Sequence, residues 1–229
     1  MSSGRYHGSV FMYPCAGDDR VEVFRAYADR FDTLLFVDIS YQFLNFEPPS
    51  FDGWHAMRDT FSLEGPSVDE MDWAATEGRR YRKLAPAWWR CRYQQVRTGN
   101  TVELVLRRGF GQYALRELAA GQLGMFLHRG DSMGESGSGT KFLANARMRH
   151  EPLSNLLDVI KTKLSVPARI GSDGSNTRIR QLVQAASGVQ DIVPFRRHGL
   201  FWEPEGTLPG RSSRFTVVWQ VTPQQPAEA

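Results

Sequence analysis

The apolar positions fall in short unbroken runs, separated by polar turns and by stretches of helical spacing. Residues 9–14, Ser-Val-Phe-Met-Tyr-Pro, make the first run and stop at Cys15-Ala16-Gly17-Asp18-Asp19, which predicts a short buried strand entering a turn. Over 19–31, Val21, Phe24, Ala28 and Phe31 share one helical face, and Asp18 or Asp19 is a natural N-cap. Residues 33–38, Thr-Leu-Leu-Phe-Val-Asp, are apolar until a carboxylate closes them. A strand buried on both faces reads this way in a parallel sheet. The opening is a βαβ unit, and such crossovers are right-handed.

Periodicity weakens over 42–88, where Glu47-Pro48-Pro49, Gly53, Gly65-Pro66, Gly78 and Pro86 interrupt a charged stretch. The expectation there is an insertion with short helices, a candidate lid. Strand patterns return in Trp89–Arg97 and Thr101–Arg108, which flank Thr98-Gly99-Asn100 as the arms of a hairpin. A short helix over 112–119 and a strand over 123–128, Leu-Gly-Met-Phe-Leu-His, follow, then a Gly/Ser-rich loop through 139. Leu153, Leu156, Leu157, Ile160 and Leu164 form one stripe after Pro152 and predict a helix over 152–164. A strand over 166–172, a helix over 177–187 ending at Gly188, and a long hairpin of 200–202 with 215–221 complete the chain.

Composition narrows the classes. With 229 residues, 41% of them hydrophobic, the chain suffices for one sizeable core. Two cysteines, Cys15 and Cys91, make neither a disulfide framework nor a cysteine zinc site. The five histidines lack metal-ligand spacing, so no metal is expected. No apolar run is long enough for a membrane span, and residues 1–7 lack a secretory apolar core. A cytoplasmic protein without membrane contact is the expectation. The net charge of +3 hides blocks: residues 18–78 carry 14 acidic and 4 basic side chains, residues 79–129 carry 11 basic and 2 acidic. The stretch Arg79–Arg97 interleaves arginines with Tyr81, Trp88, Trp89 and Tyr93. Such a face suits a polyanion, since arginine pairs with phosphate and aromatics stack on bases. Pairing of the basic block with the acidic one inside the fold explains the same residues.

The element order is that of a doubly wound α/β protein with a C-terminal antiparallel hairpin. It resembles the Rossmann-like fold of class I S-adenosylmethionine-dependent methyltransferases, which implies a mostly parallel seven-stranded sheet. In that fold the last two strands form a hairpin and place one antiparallel strand in an otherwise parallel sheet. The resemblance covers 9–38 and 101–221. It implies a single domain over 1–222 with an insertion at 42–98 and a flexible tail at 223–229.

The resemblance also implies a site along the carboxyl ends of the strands, where ligands of open α/β sheets bind. Tyr13, Cys15, Ala16 and Gly17 would lie at the cofactor end of the first strand, with one glycine where the family's turn carries several. Asp38 would accept hydrogen bonds from both ribose hydroxyls of S-adenosylmethionine; a bidentate carboxylate fits a cis-diol. Phe110 and Gln112, within Arg108-Gly109-Phe110-Gly111-Gln112, would stack on and bond to the adenine, replacing the acid usual in the family. On the acceptor side, His128 or Asp131 would act as base and Arg129 would clamp an anionic group. Ser132, Asp173, Ser175 and Asn176 would bind the substrate, a small molecule or a nucleic acid held by Arg79–Arg97. Capped turns and solvated strand ends account for the same residues without chemistry.

The loop Gly134–Lys141 fails the phosphate-loop pattern, because Thr140 separates Gly139 from Lys141. Two other functions fit the same sheet. One is a catalytically degenerate Rossmann-like protein that binds a nucleotide or nucleic acid. The other is a hydrolase using Asp131 or Asp173.

Overall fold

The computed structural model describes residues 8–14, 16, 20–38, 41, 47–65, 87–109, 111–128, 156–172, 200–208 and 216–223. These contain β1 (Val10–Pro14), α1 (Arg20–Tyr27), β2 (Thr33–Asp38), β3 (Trp54–Glu64), β4 (Ala87–Gln95) and β5 (Thr101–Arg108). They continue with α2 (Gly111–Glu117), β6 (Leu123–His128), α3 (Leu156–Lys163), β7 (Leu164–Ser172), β8 (Leu200–Leu208) and β9 (Thr216–Pro223). All described strands join one sheet in the order β3-β4-β5-β2-β1-β6-β7-β9-β8.

The five central strands β5, β2, β1, β6 and β7 run parallel. On one side β9 pairs antiparallel with both β7 and β8, so β8 again points along the central run. On the other side β4 pairs antiparallel with β5, and β3 with β4. Alternate residues of the central strands enter two different cores. Val10, Met12, Leu35, Val37 and Val105 pack with Ala114 and Leu115 of α2 and Ile160 of α3. Phe11, Tyr13, Leu34, Phe36 and Leu104 pack with Val23, Phe24 and Tyr27 of α1. Successive side chains of a strand point to opposite faces, so the unbroken apolar runs are explained by helices covering both.

Among the described residues the sheet holds nine strands instead of the expected seven. β3 comes from the stretch expected to hold short helices, and β4 is the strand expected over 89–97, which joins the sheet beside β5. In β4 the inward positions Ala87, Trp89, Cys91 and Tyr93 are buried and alternate with more exposed neighbours. That period of two belongs to a strand with one face on a core. Its partner β3 is half-exposed along its length, so its sequence carries little hydrophobic signal. Between Met57 and Ser62 its register slips against β4. The Thr60 hydroxyl secures the irregularity, donating to Met57 O at 2.7 Å and accepting from Arg92 N at 2.8 Å. Phe51, just ahead of β3, stacks on Phe24 of α1 with centroids 3.7 Å apart, which ties this part of the chain to the core under α1.

Of the remaining strands, β8 runs six residues past its expected end at 202, to Leu208, and the others follow expectation to within two residues. β9 reaches Pro223, the first residue of the expected tail. The expected helix over 177–187 and the Gly/Ser-rich loop lie outside the described residues. Among the described residues, no helix is long and apolar enough to cross a membrane.

Candidate functional site

Chain order fixes where the sheet opens. From β1 the chain steps outward through β2 to β5, then returns to the other side of β1 with β6 and continues to β7. The strand order therefore reverses at β1–β6. Crossovers leave a crevice at the carboxyl ends of the strands there.

The rim of that crevice is described on one side. Tyr13 is fully buried on β1, its ring edge-on to Phe36 with centroids 6.0 Å apart. Ala16 is fully buried and donates its N–H to Val37 O at 3.2 Å. The turn after β1 is thus pinned to the end of β2. Asp38 closes β2 and is half-buried. It stands beside Arg108 in the parallel β2–β5 register. Its main-chain carbonyl accepts the N–H of Gly109 at 3.2 Å. Gly109 has φ 146°, a backbone that L side chains rarely adopt. The edge next to Asp38 consequently carries no side chain at that position.

Charge gathers around this rim. The Arg108 guanidinium reaches Tyr41 O at 3.5 Å, and burial holds its pKa below the usual arginine range. The Arg20 guanidinium, at the start of α1, lies 5.5 Å from the centroid of the buried Tyr41 ring, within cation–π range. Arg20, Tyr41, Arg108 and Gly109 were not singled out as site residues from sequence. Their signal is weak, since the two arginines read as ordinary members of charged stretches until the fold converges them.

Of the other expected site residues, Gln112 falls in the first turn of α2 and His128 ends β6, next to Ser172 of β7 in register. These placements concern the main chain. Cys15, Gly17, Phe110, Arg129, Asp131, Ser132, Asp173, Ser175 and Asn176 lie outside the described residues. The structure therefore brings Tyr13, Ala16, Asp38, Gln112 and His128 to one edge of one sheet. Among the described residues, no group of three or more His, Cys, Asp or Glu side chains could hold a metal ion.

The described part of the basic stretch lies away from this edge, on β4 and the turn after it, as Arg90, Arg92 and Arg97. One ion pair, Arg90 with Glu64 at 4.0 Å, joins the basic block to the acidic one. Arg92 and Arg97 are exposed.

No family model matches the chain, and no curated protein matches it. Among solved structures, a crystal structure of a single-site mutant of the 16S rRNA (adenine(1408)-N(1))-methyltransferase from Catenulisporales acidiphilia is similar. It covers 97% of this chain and 89% of that chain, at 11% identity and a TM-score of 0.37. A likeness at that level bears on neither fold detail nor chemistry.

Proposed function

We propose that this chain is an S-adenosylmethionine-dependent methyltransferase. Its cofactor would lie along the carboxyl ends of β1, β2 and β5, and its methyl acceptor would lie at the ends of β6 and β7. The observation that carries the proposal is Asp38, a half-buried carboxylate closing the strand next to the reversal point. The sheet around it supports the same reading. Setting β3 and β4 aside, β9 alone runs against the other strands, and helices from both faces complete the two cores. These features support reading the sheet as doubly wound, with a C-terminal hairpin. On this reading residues 1–222 make one domain, into which 42–98 are inserted.

The residues present fit the cofactor at the ribose. Asp38 is a carboxylate, with the two acceptor oxygens that a cis-diol calls for, and Gly109 brings no side chain to the adjoining edge. Phe110 and Gln112 would contact the adenine, with Tyr13, Cys15, Ala16 and Gly17 beneath the rest. When bound, S-adenosylmethionine supplies a methyl group on a sulfonium, an intrinsically good leaving group. The protein then has to align the acceptor and take up a proton. His128 or Asp131 would take the proton. Arg129, Ser132, Asp173, Ser175 and Asn176 would orient the acceptor.

One observation favours a second reading, a catalytically degenerate binder of the same fold. The Ala16 N–H is already bonded to Val37 O, so this turn amide is not offered to a ligand. Such a protein would bind a nucleotide, or nucleic acid through Arg79–Arg97.

Calorimetric titration with S-adenosylmethionine and S-adenosylhomocysteine, with ATP and NAD as controls, tests the proposal. Binding of the first two alone is expected. Asp38→Ala should weaken it by at least about tenfold, or ~1.4 kcal/mol, with thermal unfolding unchanged. Well-folded protein that binds neither would favour the degenerate binder, and a labelled RNA oligonucleotide titrated against an Arg90, Arg92 and Arg97 triple alanine variant becomes the next experiment.

A further inference from the structure

Arg107 is the one charged side chain in the described interior, 0% exposed. It occupies the penultimate position of β5, directly before the rim residues Arg108 and Gly109. Its guanidinium Nη2 donates to Glu117 Oε1 at 3.1 Å. Its guanidinium carbon lies 4.9 Å from the centroid of the Trp88 ring, and Trp88 is its direct partner in the β4–β5 register. Glu117 is the last residue of α2. The ion pair therefore closes the chain from the end of β5, through the rim, to the far end of the helix.

That far end is held a second time. Lys163, the last residue of α3, donates its Nζ to Arg116 O at 3.1 Å and also to Leu118 O. With its carboxyl end fixed from two directions, α2 has little freedom left at its amino end. Its amino end, only about 10 Å away at 1.5 Å per residue, carries Gln112 and adjoins Gly109.

Stability alone does not account for such a pair. Taking the Arg107 guanidinium out of water costs several kcal/mol, and a carboxylate that is itself half-exposed, as Glu117 is, offsets little of that. What the ion pair adds is direction. A planar guanidinium stacked on an indole and aimed at one carboxylate oxygen fixes position and rotation in a way that two apolar side chains do not.

We infer that Trp88, Arg107 and Glu117 form a positioning clamp that sets the β5–α2 turn against Asp38 in its ligand-binding shape. This rests on the reading of that rim as the cofactor site. It also gives the inserted strand β4 a task, because β4 supplies the aromatic plate of the clamp. Arg107 and Glu117 are positioning residues and touch no ligand.

The test separates stability from shape. The double variant R107M/E117L should unfold at a urea midpoint equal to or above that of the unaltered protein. It should bind S-adenosylhomocysteine at least about tenfold more weakly. Hydrogen exchange at the Gly109 amide, bonded to Asp38 O, should quicken while the Leu106 amide keeps its protection. A stable double variant with unaltered affinity and unaltered Gly109 exchange overturns the clamp. Should the double variant fail to fold, E117Q decides, because the Glu117 side chain is 47% exposed and its neutralisation leaves the core filled. Faster Gly109 exchange in E117Q supports the clamp, and an unchanged rate overturns it. If the unaltered protein does not bind S-adenosylhomocysteine, the cofactor reading fails by itself, and Gly109 exchange still decides the clamp.

Discussion

Cys91 and Tyr93 lie two residues apart on the inward face of β4, both essentially without solvent contact. The Cys91 thiol donates weakly to Met57 O at 3.6 Å, and the Tyr93 hydroxyl donates to Pro49 O at 3.0 Å. Burial pushes both acids up, and for Tyr93 the neighbouring Cys91 adds to the effect. The folded protein therefore keeps protons that the unfolded chain releases from about pH 8.5 for the thiol and about pH 10 for the phenol. Where the unfolded state binds fewer protons, stability falls as pH rises. Urea midpoints should accordingly be level near neutrality and decline through that alkaline window, less steeply in Tyr93→Phe. A flat profile would show that neither group titrates differently on unfolding. At this scale the sequence is uneven evidence. Asp38 stood out because a carboxylate ended an apolar run. Arg107 did not, because an arginine inside a basic stretch reads as surface until Trp88 and Glu117 are brought around it.

The elements most legible in the sequence were those buried on both faces. β1, β2 and β6 appear as unbroken apolar runs, and no other element of their length reads that way beside turn residues. β3 was illegible for the opposite reason. It lies at the sheet's edge, half-exposed, with charged Arg58 and Asp59 inside its irregular stretch, so nothing in its pattern separates strand from loop. The amino ends of the strands are packed too tightly for sequence to reveal. A Cβ placed on Gly8 would lie 2.7 Å from the Gly124 Cα and 2.8 Å from the Ser165 Cβ, and its φ is +81°. Gly8→Ala should therefore cost about 1–3 kcal/mol by overpacking and backbone strain, read from urea unfolding. Ligand affinity should be unaffected, because the substitution is at the amino edge and the proposed site is at the carboxyl edge. A loss of affinity with stability intact would contradict that separation.

The whole molecule divides along one line. Residues 10–108 supply β3-β4-β5-β2-β1 as an unbroken block of the sheet, and residues 123–223 supply β6-β7-β9-β8 as another. Class and the C-terminal hairpin were visible in the order of elements; the strand count was not, since it turned on where 54–64 attach. Each block contains its own strand neighbours, whereas Val10 meets Leu123 across more than a hundred residues of chain. Pairings distant in sequence pay more loop-closure entropy and form late. In refolding followed by pulsed hydrogen exchange, amides shared by β4 and β5 should gain protection before those shared by β1 and β6. Simultaneous protection would argue for a single nucleus spanning both. The β1–β6 line also gives the protein a natural place to be cut. A chain severed between α2 and β6 leaves two fragments, each with a complete set of internal strand partners. They rejoin through β1–β6 and through the Lys163 contacts with the end of α2. The reversal point lies on that same line, so a small molecule bridging it acts as a fastener between the halves. Reassembly of the fragments would then report ligand occupancy without any catalytic turnover.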